Sequence, residues 1–229
     1  MGLFNRTVPV AGSGLFEGRT DWHCHILPGV DDGFRSMEDS LRALALFEKA
    51  GYLEVWLTPH VMEDIPNSPE FLKKRFAELQ EAYKGHITLH LASENMMDPL
   101  FSERLESGEL LPLSDNRLLV ETSYFNPPID LEGILTAVKS AGYFPLLAHP
   151  ERYMYMDMRH YRALKAAKIE FQLNISSLIG SYGPVVKAKA EKLLKLGMYE
   201  YSGTDLHRVS SFEHLMAASL SPKILKRIP

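Results

Sequence analysis

Between residues 19 and 202, short apolar runs of β type alternate with helical stretches, and few folds accommodate that alternation. The strand candidates are 19–23, 54–58 ("EVWLT"), 87–92 ("ITLHLA"), 118–121 ("LLVE"), 144–148 ("FPLLA"), 170–173 ("EFQL") and 198–202 ("MYEYS"). Helix candidates lie between them at 37–50, 69–83, 131–140, 157–167 and 184–196. Several carry an apolar stripe at helical spacing, such as Leu41, Leu44, Ala45 and Phe47. Two run into glycine just before the next strand ("KAGYLEV", "SAGYFPL"), a common helix stop. Such units imply right-handed βα crossovers around a parallel sheet. The expected fold class is α/β, with a distorted or incomplete (β/α) barrel favoured over an open sheet. No linker divides residues 19–229, which are expected to form one domain behind a loose, Gly/Pro-punctuated arm over residues 1–18.

The polar residues fall where this alternation gives them meaning. The stretch "TDWHCHILPGVDDG" ends the first strand with His23 and His25 and follows them with Asp32. The second strand ends in "TPH" (His60), the third runs into "ASE" (Glu94) and the fourth ends in "VE" (Glu121). The fifth ends in "AHPER" (His149) and the last in "SGTDLH" (Asp205, His207). In parallel α/β folds the C-terminal strand ends share one face, where active sites are built. One polar residue at a strand end is an ordinary cap; six strands ending this way point to a common site.

His23 and His25 differ by two positions, so an extended backbone projects both to one side and Cys24 to the other. Two adjacent imidazoles make a poor core and a good ligand pair for a divalent metal. The mouth collects five histidines and four carboxylates, enough for two or three ions sharing bridging carboxylates. Nitrogen and oxygen donors without thiolate suit manganese, iron or zinc. A close cluster of such ions activates water and neutralises charge on a phosphoryl or carbonyl group.

Composition narrows the partners. Net charge is −4, from 25 basic and 29 acidic residues with no basic run, which disfavours nucleic acid or an anionic membrane as main partner. No apolar run reaches the length of a membrane span, and no signal peptide or myristoylation pattern is expected at the start. Cys24 is the single cysteine, which fits a reducing, cytoplasmic compartment.

These residues in this order resemble the PHP (polymerase and histidinol phosphatase) family, with its HxH, lone His, Glu, second His and final DxH. Within it, "HCHILPGVDDG", "TPH", "HPER" and "GTDLH" closely resemble the bacterial metal-dependent tyrosine-protein phosphatases of capsule and exopolysaccharide synthesis. The resemblance spans roughly residues 20–215. It implies a distorted seven-stranded (β/α) barrel of PHP type and three divalent ions, manganese first. The implied substrate is phosphotyrosine on a partner tyrosine autokinase that regulates polysaccharide export. One ion would sit on His23, His25, Glu94 and Asp205. A second would sit on Glu94, Glu121 and His149, and a third on Asp32, His60 and His207. Arg152 of "HPER" matches the family's phosphate-binding arginine, a fork suited to two phosphoryl oxygens.

The match has two departures. Some relatives carry a second phosphate-binding arginine where this chain has Phe212, and Arg208, next to His207, is the candidate replacement. The usual aromatic residue after the metal-binding glutamate is Asn95 here. The expected mechanism is in-line attack on phosphorus by metal-activated hydroxide. Cysteine-dependent phosphatases need an arginine six positions after the nucleophile, where Val30 sits, so Cys24 reads as a buried strand residue. His86 and His90 read as strand neighbours, and His160 and His214 as surface helix residues. "SYFNPP", with Tyr124, and "RYMYMDM" leave ligand-bearing strands and are suited either to gripping a phosphotyrosine ring or a peptide or to folding back onto the barrel rim. The alternatives are a phosphoesterase for a small metabolite such as histidinol phosphate, and a non-catalytic metal-bound regulatory protein.

Overall fold

The computed structural model describes residues 7–229. In chain order, β1 (Val8–Pro9) and β2 (Thr20–Cys24) precede α1 (Met37–Ala50). Next come β3 (Glu54–Leu57), β4 (His60–Val61) and α2 (Pro69–Ala82), then β5 (Thr88–Leu91), β6 (Glu94–Met96) and α3 (Phe101–Ser107). β7 (Arg117–Glu121), α4 (Leu131–Ser140), β8 (Phe144–Ala148), α5 (Met158–Ala166) and β9 (Glu170–Asn174) follow as regular βα units. The chain closes with α6 (Ile175–Ile179), α7 (Pro184–Lys195), β10 (Tyr201–Gly203), α8 (Val209–Ala217), β11 (Ser219–Leu220) and α9 (Pro222–Leu225).

Nine of the strands form two parallel sheets, ordered β10-β9-β8-β7-β6-β4 and β2-β3-β5. The run expected at 54–58 breaks before Pro59, which has no N–H to donate, and resumes at His60 in the other sheet. Single hydrogen bonds carry the ladder over the break: Thr58 N–H to Cys24 at 2.8 Å and Glu94 N–H to Pro59 at 3.0 Å. The run expected at 87–92 forms β5 alone, and after a break at residues 92–93 the chain resumes as β6 in the other sheet. Beyond β10, Asp205 N–H donates to His23 at 2.7 Å and His25 N–H to Leu206 at 3.0 Å. The sheet therefore curls until its last strand runs beside its first.

Helices cover the convex side. Ser36 caps α1 by accepting from Asp39 N–H at 3.1 Å, and Gly51 ends it at φ +99. Between those stops Leu44 and Phe47 are buried as their spacing implied, each contributing about 1.5–3 kcal/mol, whereas Leu41 is half-buried and Ala45 is exposed, with Ala43 taking the inward place beside Leu44. Leu118 and Val120 of β7 join the same core, while Leu119 faces the other way into a smaller cluster with Ala92, Leu113, Leu146 and Ala148. The segment expected to be a loose arm is packed where it is described. β1 pairs with β11, Val10 N–H donates to Ala218 at 2.9 Å, and Phe16 meets Phe212 with ring centres 5.9 Å apart. Burying Val10, Leu15 and Phe16 offsets the ordering cost that a polar arm could not meet. Residues 1–6 of that arm lie outside the described residues.

Gly203 lets β10 approach β2. A Cβ there would lie 2.7 Å from both the backbone nitrogen and the Cβ of His23. Gly203→Ala is therefore expected to cost about 1–3 kcal/mol through overpacking, read by urea denaturation, and to displace the His23 ring.

Candidate metal centre

A shift of register between Asp21 and Cys24 turns the end of β2 so that both His23 and His25 reach the open end of the curl. Cys24 between them is buried in the main core, its thiol 3.4 Å from the Trp56 carbonyl and its pKa pushed well up by burial. Each imidazole is held from behind. Asp31 meets His25 Nδ1 at 2.7 Å, and Gln172 Oε1 meets His23 Nδ1 at 3.0 Å. Donating from Nδ1 leaves each Nε2 lone pair facing the cluster. Asp31 also accepts from His60 N–H at 3.0 Å, tying the second strand end to the first.

Around Glu94 Oε2 three imidazole nitrogens converge: His60 Nδ1 at 3.1 Å, His23 Nε2 at 3.2 Å and His25 Nε2 at 3.3 Å. His149 Nε2 lies 2.9 Å from the other oxygen, Oε1. Asp205 Oδ1 stands 3.3 Å from His25 and 3.5 Å from His23. Asp32 reaches His207 Nε2 at 3.3 Å and His60 Nε2 at 3.6 Å. All nine expected ligands thus gather in one cluster: Asp32, His60, Glu94, His149, Asp205 and His207 border a single pocket, His23, His25 and Glu121 lie behind them, and only Asp32 and His207 sit toward solvent.

Three sets of donor atoms lie within 4.8 Å of one another: His23, His25, Glu94 and Asp205; His25, Asp32, His60 and His207; and His60, Glu94 and Glu121. The first set coincides with the one implied by the resemblance, and the second adds His25 to it. In the third, His60 takes the place expected for His149, whose Nε2 is 3.8 Å from Glu121.

The donor set fits metal for a specific reason. Glu94 Oε2, Glu121 Oε1, His60 Nδ1 and His149 Nδ1 are buried and make no hydrogen bond among the described residues, despite contacts as short as 3.0 Å. Buried polar atoms that crowd together without sharing protons are costly unless a cation lies among them. The charges agree. Burial and His25 oppose protonation of His60, but Glu94 and Glu121 overcome both and push its pKa up to about 10. Burial would raise Glu94, yet His23 and His60 hold it well below the usual carboxylate range. Asp205 behaves likewise beside His23 and His25. Asp32 is lowered to about 2, chiefly by its contact with His207.

Two ligands sit on strained backbone. His149 and Asp205, just beyond β8 and β10, adopt left-handed conformations with φ +33 and +51. Such positions cost about 1–3 kcal/mol and persist where the surroundings hold them, here to aim the side chains inward.

Arg152 borders the same pocket. Its guanidinium donates to Asp205 Oδ2 at 2.7 Å and lies between the rings of Tyr124 and Tyr182, at 4.3 and 4.2 Å. Asn174 completes the frame, donating to Asp205 Oδ2 at 2.8 Å and to Tyr182 Oη at 3.0 Å. Asp205 therefore serves two neighbours, with Oδ1 toward the histidines and Oδ2 toward the arginine. Arg152, Tyr124, Tyr182 and Asp205 border a cavity of about 620 Å³ that Arg208 and His214 also line. Arg208 is exposed at its edge, as is His214.

Phe212 is buried against Phe16 and Phe47, so the position of the second arginine faces the core here. Asn95 is buried too, bonded to Ser93 and Leu119. His90 stacks on Trp56 at 4.6 Å, His86 lies by Glu48, and His160 caps α5 with Asp157. None of those three lines the cavity. Sequence reasoning missed Asp31, Gln172, Asn174 and Tyr182. Only Asp31 carried a signal, as the other half of "DD".

The profile of the family described as capsular polysaccharide synthesis, CpsB/CapC, matches residues 19–226. The chain belongs to the CpsB/CapC family. This family member is 28% identical over 200 residues to the tyrosine-protein phosphatase YwqE of Bacillus subtilis (strain 168), covering 83% of this chain and 78% of YwqE. It is 25% identical over 203 residues to the tyrosine-protein phosphatase CpsB of Streptococcus pneumoniae, covering 83% and 84%. Its fold is similar to a crystal structure from the work on YwqE of Bacillus subtilis and CpsB of Streptococcus pneumoniae, described as unique metal-dependent tyrosine phosphatases. That likeness has a TM-score of 0.76 at 22% identity and covers 90% of each chain.

Proposed function

We propose that this CpsB/CapC family member is a metal-dependent protein-tyrosine phosphatase. The observation that carries the reading is the convergence of His23, His25 and His60 on Glu94 in the cavity that Arg152 borders. We assign the pocket three divalent ions, manganese foremost, on His23, His25, Asp32, His60, Glu94, Glu121, His149, Asp205 and His207. When bound, the ions supply Lewis-acid activation of water and neutralise phosphoryl charge.

The chain's own residues do the rest. Arg152 holds phosphoryl oxygens with the guanidinium edge that Asp205 leaves free. Tyr124 and Tyr182 keep that plane fixed and form walls against which an aromatic substrate ring lies. Exposed Phe125 and Met154 extend the apolar wall outward, because Met154 N–H bonds Tyr124 at 2.7 Å and joins their two loops. A phenolate leaves readily, its conjugate acid having a pKa of about 10, so the site needs no strong general acid. Arg208 sits where it meets the outer part of a substrate.

We take the substrate to be phosphotyrosine on a bacterial tyrosine autokinase governing capsule or exopolysaccharide synthesis, a reading that membership of the family supports. We read residues 19–229 as a single catalytic unit whose curled sheet is a distorted seven-stranded PHP-type barrel. Among the described residues no helix is long and apolar enough to cross a membrane, and we place the protein in the cytoplasm, where a lone thiol stays reduced.

The test offers manganese-loaded protein a phosphotyrosine peptide, histidinol phosphate and a nucleotide monophosphate. The peptide is expected to be hydrolysed fastest. Faster turnover of either small ester sinks the tyrosine reading, and full metal occupancy without any hydrolysis favours a regulatory protein. Cys24→Ser is expected to leave the rate within about threefold, since the thiol is buried and protonated. Loss of activity in that variant with metal retained overturns the mechanism.

A further inference from the structure

The net charge of −4 hides one strongly basic face. The C-terminal turn of α7 and the segment around α9 enclose a groove of about 1040 Å³. Lys192, Lys195, Lys223, Lys226 and Arg227 line it, against a single carboxylate, Glu191. All five cations are exposed, and none forms an ion pair among the described residues. Leu194 and Ile224 lie between them, which gives the recess an apolar floor. Complementing the α7 dipole explains lysines in its last turn. It does not explain three more cations brought to the same recess by a separate element.

We propose that this groove docks a protein segment in which acidic residues alternate with aliphatic ones. The charge calls for an anionic partner. The concave shape and buried Leu194 favour side chains reaching inward over a flat lipid surface. Position adds a consequence. Ser181 and Tyr182 line the catalytic cavity just before α7 begins, and the basic turn ends the same helix. A helix of this length spans about 18 Å at 1.5 Å per residue. A segment held in the groove therefore leaves the cavity open and, through a linker of several residues, keeps a tethered tyrosine near it.

Fluorescence anisotropy tests this on the intact chain with a labelled peptide of glutamates interspersed with leucines, beside a lysine-for-glutamate counterpart. The acidic peptide is expected to bind, weakening as salt rises, and the basic one not to. Lys192→Glu/Lys195→Glu is expected to weaken binding at least about tenfold. Because acidic residues at a helix C-terminus can themselves destabilise, Lys223→Ala/Lys226→Ala serves as the neutral companion and should weaken binding in the same direction. Hydrolysis of a small phosphotyrosine ester should be unchanged in both variants. No binding of the acidic peptide overturns the proposal. So does binding indifferent to these substitutions, or capture only by phosphatidylserine vesicles or an oligonucleotide. None of these outcomes bears on whether the cavity hydrolyses phosphotyrosine.

Discussion

Glu94→Gln is expected to lower kcat/KM by at least about 10³-fold, equivalent to about 4 kcal/mol of transition-state stabilisation. The reason is geometric. Glu94 belongs to two of the three donor sets, and its Oε2 is the atom on which His23, His25 and His60 converge. An amide keeps the volume and removes the charge, so the imidazoles lose the one anion common to all of them. Metal content, measured by elemental analysis, should fall with activity. Full occupancy alongside full activity in Glu94→Gln would place the reactive centre elsewhere.

Chelation extends the same argument to stability. The pocket buries four imidazoles and three carboxylates with several atoms lacking hydrogen-bond partners, so the bound ions should stabilise the fold itself. At about 1,000 times the dissociation constant, ligand linkage contributes about 4 kcal/mol. For a chain of this size that corresponds to a Tm drop of roughly 8–16 °C on removing the ions. Scanning calorimetry with and without chelator reads it, and Glu94→Gln should erase most of the difference.

The residues foreseen from sequence and those overlooked differ in how they act. His23, Glu121 and His149 were legible because each lies at the end of a strand, and His60 because it follows closely on the β3 run; a parallel sheet gathers such positions without any knowledge of pairing. Phe47 and Leu44 were legible from helical spacing. Gln172 and Asn174 were not, since they act on His23 and Asp205 across 149 and 31 residues of chain. Their sequence context, "EFQLN", is that of an ordinary strand. Asp31 and Asp32 are adjacent, and composition cannot say which supports an imidazole and which faces the cavity. The broken strands trace to Pro59 and to the turn before Glu94, where hydrophobic alternation continues although pairing changes sheet. Packing of the early segment was overlooked because its polar and glycine residues mask Val10, Leu15 and Phe16. The basic groove was invisible for a related reason: Lys192 and Lys226 are distant in sequence, so no charge run announced them.

Arg152→Lys is expected to lower kcat/KM by about 10²-fold or more while leaving metal content unchanged. Charge alone predicts a mild substitution, and the surroundings decide otherwise. The guanidinium is planar, and two tyrosine rings at 4.3 and 4.2 Å hold that plane while Asp205 fixes one edge. An ammonium neither stacks in this way nor presents a fork to two oxygens. Burial opposes the arginine's charge, but Asp205 beside it holds the guanidinium protonated throughout the accessible pH range. The change on substitution is therefore one of geometry rather than titration. Tyr182→Phe separates the contributions. It keeps the stack and loses the Asn174 contact to the hydroxyl, so it should cost less than Arg152→Lys and appear mainly in KM. Tyr182→Ala removes one wall, frees the guanidinium to tilt, and should approach the arginine variant in kcat/KM. Equal activity of Tyr182→Ala and the unaltered protein would mean that the stack positions nothing, and that Asp205 alone orients Arg152.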